Sequence, residues 1–491
     1  MLNRRQFGLM SLAAAGALAA PMVVRATRAA AQTGSARNVI LMISDGAGFH
    51  TWHAASYYRH GKLGMEVFDA FPVKTLMTTY PLNVERAPTN DMTPKVGYDA
   101  AAAWSTAPGE GELGAGITKL PYTNHFAGYD YVKRNYVDSA AAGTALSSGI
   151  KTFNNSINWT NDGKPVRDMG KAAKAAGRAV GVVSSVQVSH ATPAVFYAQN
   201  VSRNNYAEIG AQLLEEAVPD VVMGAGHPMF NRDGVYTTPA GDKAFQYVGG
   251  ADAYVKLATG QSPYKLIDTK AGFEALASGS LDLEGKQVYG LAPVANTLQY
   301  QRGTRGGDWT PEAPMGNLIG SVPSLETMTK GALAVLGTKP KGFFLMVEGG
   351  AVDWAAHGNH TGRIIEEQID FNRSVEAVVA WIEANGGFEN TLLIVTTDHG
   401  NGMMYGPESD TFAFQPVVNR GQGNLPDVQW HYDTHTNELV PVWAKGPGAE
   451  ALVAASTGED MHTAMVGWGS VNRYHDNTDI ARLMMAGMGA A

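Results

Sequence analysis

Val39-Ile40-Leu41-Met42-Ile43-Ser44-Asp45-Gly46 decides how this chain is read. Five consecutive apolar residues without alternation mark a strand buried on both faces, as parallel sheets require. The run then stops on a carboxylate and a glycine. In an open parallel sheet, sites form beyond the carboxyl ends of the strands, so Asp45 stands where chemistry is expected. The pattern recurs twice. Phe343-Phe344-Leu345-Met346-Val347-Glu348-Gly349-Gly350 ends on Glu348, and Leu393-Ile394-Val395-Thr396-Thr397-Asp398-His399-Gly400 ends on Asp398 and His399. Any one acid–glycine pair is an ordinary turn signal. Three of them, each after a buried-type strand, raise the case for function considerably.

Outward from these runs, short apolar segments alternate with helical patterns, which predicts βαβ units. Strands are expected over 38–44, 74–79, 179–184, 220–223, 342–347, 392–397 and 440–444. Helices are expected over 140–148, 194–200, 206–217, 324–336, 363–385 and 479–488. The expected fold class is α/β, with a large, mostly parallel central sheet, helices on both faces and inserted loops. Two excursions, 82–135 and about 231–323, interrupt the rhythm without marking a separate domain. Residues 32–491 therefore read as one domain with an insertion over about 82–135.

Composition narrows the chemistry. The 491-residue chain has no cysteine, which excludes disulfides, thiolate zinc sites, Cys nucleophiles and iron–sulfur ligation. With 45% hydrophobic and 17% charged residues it is globular rather than disordered. A net charge of −8 leaves no basic footprint for nucleic acid. Residues 1–31 hold Arg4, Arg5, Arg25 and Arg28 and no acidic residue. Paired arginines before an Ala/Gly-rich apolar run over 9–24, then Ala29-Ala30-Ala31, read as a twin-arginine export signal cut near Gln32. A transmembrane anchor is the competing reading. It needs about 20 strongly apolar residues, and this run is shorter and weaker. The expected location is periplasmic or secreted, without a membrane anchor.

Asp353-Trp354-Ala355-Ala356-His357 sets a carboxylate and an imidazole four apart, on one helical face. A surface or capping pair would look the same. Lying five residues beyond Glu348, the pair also fits zinc, which accepts oxygen and nitrogen donors. His435 offers a further imidazole. Asp138-Ser139-Ala140-Ala141 opens an Ala-rich helix. Asp or Ser there is an ordinary N-cap, and the motif alone favours that reading. The functional reading is a hydroxyl nucleophile whose phosphate lies against free helical N–H groups.

These motifs, in this order, resemble the bacterial and animal alkaline phosphatases from residue 38 to about 446. The resemblance implies hydrolysis of phosphate monoesters through a phosphoserine on Ser139, with Arg203 in Val201-Ser202-Arg203-Asn204 gripping the phosphate. It implies one zinc on Asp353, His357 and His435, and a second on Asp398, His399 and Asp45 beside Ser139. Asp45 matches an aspartate that bridges two metals. A third metal, magnesium, falls to His190 and Thr192 in Ser189-His190-Ala191-Thr192-Pro193, with Glu348.

The chain also departs from the family. Many bacterial members have an aspartate at the position of His190 and a lysine at that of Trp354. His190 implies contact with magnesium through water, or zinc or cobalt in its place. Trp354 implies a weaker hold on product phosphate and faster turnover. The implied partners are small phosphate monoesters, and a homodimer is implied by the family alone. A phosphodiesterase or sulfatase-like member of the superfamily is the rival enzyme. The serine motif, Arg203 and the third-site residues speak against it. A non-catalytic metal- or phosphate-binding protein is the rival of another class; it predicts an eroded nucleophile or ligand, and none is eroded. Exchanging Arg4 and Arg5 for Lys should strand the protein in the cytoplasm. Continued export, read by cell fractionation, would overturn the twin-arginine reading.

Overall fold

The apolar run that opens the first motif, β1 (Asn38–Ile43), becomes the middle of an 11-stranded sheet. The computed structural model describes residues 35–110, 126–303 and 315–490. In chain order the other strands are β2 (Val73–Thr78), β3 (Ala179–Gln187), β4 (Val221–Ala225), β5 (Tyr264–Ile267) and β6 (Gln287–Leu291). There follow β7 (Phe343–Glu348), β8 (Thr391–Thr396), β9 (Val440–Lys445), β10 (Gly458–Glu459) and β11 (Arg473–Asp476). Their order across the sheet is β10-β11-β2-β9-β8-β1-β7-β3-β4-β6-β5. From β8 to β5 every neighbouring pair is parallel, while β9 runs antiparallel to β8 and β2.

Side chains of β1 alternate between two cores. Ile40 and Met42 join Trp52, Met328, Ile364 and Phe371 on one face. Val39, Leu41 and Ile43 join Leu146, Leu213 and Met484 on the other. Helices Phe49–His60, Leu325–Leu336 and Thr361–Ala384 cover the first face. Helices Ser139–Ser148, Tyr206–Glu216 and Thr478–Met488 cover the second. With both faces covered, every strand position meets apolar neighbours, which is why the runs do not alternate. The α/β architecture is as expected, and so are the seven strands read from the sequence.

Some elements differ. The helix expected over 194–200 does not form; the chain makes one turn, Ala191–Ala194, and leaves. Asn158 Nδ2 donates to the carbonyls of Val195 (2.7 Å) and Ala198 (2.8 Å), and Ser147 Oγ donates to Val195 (2.7 Å). Side chains thus satisfy carbonyls at the end of a turn. The stretch 231–323 contributes β5 and β6, which extend the sheet. β6 has no strong apolar run because Gly290 packs flat: a Cβ there would lie 2.5 Å from Met223 Cγ. Helix Phe49–His60 buries His50, Thr51, His53 and Ser56, so no amphipathic stripe announces it.

The described part of 82–135 is anchored to distant segments. Tyr98 and Trp104 both donate to Asp460 (2.7 Å each), and Tyr129 donates to the Ser409 carbonyl (2.7 Å). The expected export signal, 1–31, lies outside the described residues, as do 111–125 and 304–314 within the two excursions. No helix among the described residues is long and apolar enough to cross a membrane.

Register is what positions the site. Ile43 pairs with Glu348 in β7 and with Thr396 in β8, so the three acid-terminated strands end level. Ser184 of β3 pairs with Glu348, and the chain beyond β3 brings in His190 and Thr192. Phe344 is fully buried in β7, its ring 5.6 Å from that of Phe196. Phe344→Ala should lower the unfolding free energy by about 3–5 kcal/mol, measured as a lower denaturant midpoint at unchanged slope.

Candidate active site

Level strand ends gather Asp45, Glu348 and Asp398, and local turns complete the cluster. After β1 the backbone turns through Gly46 at φ +71°, where a Cβ would lie 2.8 Å from the Asp353 Cα. Any side chain there would displace the helix that carries Asp353. The Gly46 N–H donates to Asp398 Oδ1 (3.1 Å) and the Ala47 N–H to Thr397 Oγ1 (3.0 Å), tying the two strand ends together. Asp353 and His357 lie on the short helix Ala351–His357. His435 arrives from further along the chain. Residues His435–Thr436 pair antiparallel with Gly400–Asn401, which sets the His435 ring 3.7 Å from that of His399.

Asp353 faces two imidazoles, Oδ2 lying 3.3 Å from His357 Nε2 and Oδ1 3.3 Å from His435 Nε2. Asn401 Nδ2 donates to the same carboxylate (2.6 Å). Each of these histidines turns Nδ1 to a backbone carbonyl, His357 to Asp433 (2.6 Å) and His435 to Val137 (2.8 Å). That bond places a proton on Nδ1 and leaves Nε2 to act as a ligand. On the other side, His399 Nε2 lies 3.1 Å from Asp398 Oδ2, 3.7 Å from Asp45 Oδ1 and 3.2 Å from Ser139 Oγ. Asp45 faces both ways, since its Oδ2 accepts from Thr192 Oγ1 (3.3 Å). Glu348 accepts from Ser184 Oγ and adjoins Asp45 and Thr192, forming an oxygen-rich corner.

Carboxylates buried this closely repel one another. Burial, then the charges of Asp398, Asp353 and Glu348, push the Asp45 carboxyl well above its usual range. Burial raises Glu348 to about 7 against the hydrogen bond from Ser184, and raises Asp398 to about 6 with help from Asp353. Asp353 moves the other way. Burial opposes its ionisation, but His357 and His435 hold it well below the usual carboxylate range. His357 rises to about 9, because Asp353 outweighs burial. Burial, aided by His435, pushes His399 well below the ordinary imidazole value. The protein's own groups therefore leave the cluster short of positive charge. Buried Asp45 Oδ1, Asp398 Oδ2, Glu348 Oε1 and His399 Nδ1 have no hydrogen-bond partner among the described residues.

Divalent cations would meet that need. Ligands about 2.1 Å from a tetrahedral zinc lie about 3.4 Å apart. The carboxylate–imidazole separations of 3.1, 3.3 and 3.7 Å bracket that spacing. Asp353, His357 and His435 form one set whose ligand atoms lie within 4.8 Å of one another; Asp45, Asp353 and His399 form another. His190 belongs to neither set. Its ring stands on the cavity wall, with centroids 5.6 Å from Trp354 and 6.1 Å from Tyr206. Burial, then the nearby Arg203 charge, lower it to about 3.

Ser139 is the first residue of Ser139–Ser148, and Asp138 caps that helix by accepting from the Ala141 N–H (3.0 Å). The cap and the outward hydroxyl are thus different residues. The other Asp138 oxygen accepts from Arg203 Nη1 (3.0 Å), and this partner keeps the guanidinium charged against burial. Ser139, Arg203, His190, Trp354 and His435 line one cavity of about 620 Å³. The sequence reading did not assign Asp138 to Arg203, nor Asn401 and Ser184 to their carboxylates. Asp138 lies inside the quoted serine motif. Asn401 and Ser184 carry no motif, and only contact reveals them.

Fold and site together define an open-sheet α/β protein built around a buried carboxylate–imidazole centre suited to divalent metals. The sequence matches the alkaline phosphatase family over residues 105–425, well over half of the chain, and the chain belongs to that family. It is 33% identical over 276 residues to alkaline phosphatase 4 of Bacillus subtilis (strain 168), covering 55% of this chain and 50% of that protein. The chain thus spans about half the length of that relative. With the alkaline phosphatase of Escherichia coli (strain K12) it shares 27% identity over 395 residues, covering 75% of this chain and 82% of that one. The alkaline phosphatase structure from the Antarctic bacterium TAB5 shares the fold at a TM-score of 0.58 and 21% identity, covering 93% of this chain and 99% of that one.

Because metal binding adds folding free energy, EDTA should lower the melting temperature. An unchanged Tm in scanning calorimetry would mean that the core alone holds the four carboxylates together.

Proposed function

We propose that this chain hydrolyses phosphate monoesters through a phosphoseryl intermediate on Ser139. One juxtaposition carries the reading. Ser139 Oγ lies 3.2 Å from His399 Nε2 within the charged cluster, and Arg203 is held 3.0 Å from the cap of the same helix. A monoester dianion repels anionic nucleophiles, so catalysis rests on concentrated positive charge and positioning.

We assign two zinc ions, one to Asp353, His357 and His435 and one to Asp45, Asp398 and His399. Magnesium is assigned to Thr192 and Glu348 beside Asp45, with zinc or cobalt the alternatives that His190 favours. Bound there, the ions would supply the positive charge that acidifies a serine hydroxyl and steadies a leaving oxygen. The chain's own groups do the rest. Arg203, aimed by Asp138, grips two non-bridging oxygens with its planar fork. The first-turn N–H groups of Ser139–Ser148 meet the same anion. Ser139 Oγ attacks phosphorus as its proton leaves. The Oγ–P bond forms, the ester P–O bond breaks, and the alcohol departs with a proton. Water then opens the phosphoserine, releasing phosphate and restoring the hydroxyl. Trp354 offers the product no charge, which favours its release.

Arg4 and Arg5 ahead of an apolar run support export by the twin-arginine route. Residues 32–491 would then be the single mature domain.

The test compares p-nitrophenyl phosphate with bis-p-nitrophenyl phosphate at alkaline pH. The monoester should turn over much faster, lose its turnover with EDTA and recover with zinc plus magnesium. Ser139→Ala should cut kcat by about a thousandfold or more and abolish trapping of labelled phosphate on the enzyme. Faster diester cleavage, or indifference to EDTA, would sink the proposal.

A further inference from the structure

The catalytic cavity holds a second arginine that this scheme does not use. Arg86 lines it together with Ser139, Arg203 and Trp354, although it comes from the excursion over 82–135. Asn155 holds it there. This residue sits in the left-handed region at φ +81°, which asparagine tolerates better than most side chains. Its Nδ2 donates to the Arg86 carbonyl (3.3 Å) and to Ser202 Oγ (3.0 Å). Its Oδ1 accepts from Asn204 Nδ2 (3.4 Å), and its backbone carbonyl accepts from the Arg203 N–H (2.8 Å). One asparagine thereby clamps the backbone of Arg86 to the segment that carries Arg203.

The two guanidiniums differ in their commitments. Arg203 is paired with Asp138 and largely buried, its side chain 16% exposed. Arg86 is exposed, and no carboxylate among the described residues pairs with it. The two carboxylates on the same cavity wall are already engaged, Asp138 by Arg203 and Asp353 by two histidines. Most of the remaining lining is aromatic, imidazole or amide, including Tyr136, Tyr206 and Asn155. A cavity of about 620 Å³ has room for a substantial alcohol beyond the reacting phosphate.

We infer that Arg86 reads the leaving group and selects phosphate monoesters whose alcohol carries a second phosphate. The inference rests on the monoesterase reading of Ser139. A second anionic group on the alcohol would need its own cation at the rim, and Arg86 supplies one that no carboxylate among the described residues pairs with. An exposed ion pair supports a preference of about fivefold, and salt screens it.

A matched pair of substrates tests this: propyl phosphate and propane-1,3-diol bisphosphate, compared per ester group at low salt. The wild-type enzyme should favour the bisphosphate about fivefold in kcat/KM, and about 1 M NaCl should erase the preference. Arg86→Ala should remove the low-salt preference, and Arg86→Lys should keep most of it. A preference unchanged in Arg86→Ala overturns the inference, as does an equal loss on both substrates, which would make Arg86 a general steering charge. Absence of a wild-type preference overturns it as well. Failure of the wild type to hydrolyse propyl phosphate is a different result: it defeats the monoesterase reading itself.

Discussion

The repulsion among Asp45, Glu348, Asp353 and Asp398 is the constraint on which this structure depends. All four are buried, and an isolated buried carboxylate is costly unless it is paired, coordinated or protonated. Asp353 escapes by facing two histidines. The other three keep raised affinities for protons, because burial and one another's charges oppose their ionisation. Such a cluster survives folding only where the surrounding sheet leaves it no room to relax. Divalent cations bound there would resolve the conflict that the sheet imposes, so metal affinity and fold stability would share one origin.

The sheet imposes it through register. β7, β1 and β8 run parallel and end level, and their acidic termini emerge on one edge. Gly46 lets the Asp353 helix close over that edge, because a Cβ there would collide with it. The small pairing of His435–Thr436 with Gly400–Asn401 then folds a remote imidazole onto the cluster. Beside this centre, Ser139 sits at a helix start. Asp138 caps it and holds Arg203 with its second oxygen, so one carboxylate links the helix start to a guanidinium on the cavity wall. At the rim, His190, Trp354 and Arg86 share the cavity wall.

Much of this was legible in the chain. Unalternating runs such as 39–43 and 343–347 can only be strands covered on both faces, and the two separate cores bear that out. A carboxylate directly after such a run must emerge at the sheet's carboxyl edge, so Asp45, Glu348 and Asp398 declared themselves. The i, i+4 spacing of Asp353 and His357 placed both on one helical face, where a surface pair would have looked the same. Less legible were elements whose partners are remote. The expected helix over 194–200 yields to side chains of Asn158 and Ser147. β5 and β6 take their place from their neighbours in the sheet rather than from apolar runs.

By itself, the sequence determined the class of fold, the acidic and imidazole residues that gather at the sheet's carboxyl edge, and the absence of any thiol among them. Periodicity and residue chemistry are local properties, readable from neighbours along the chain. Tertiary structure alone decided how those residues associate: Asp353 between two imidazoles, Asp45 turned to both sides, His190 on the wall beside Trp354. It also decided that Asp138 pairs with Arg203 and that Asn155 fixes the Arg86 backbone beside the same cavity. Those pairings depend on distances between atoms far apart in sequence, and only strand register and packing set such distances.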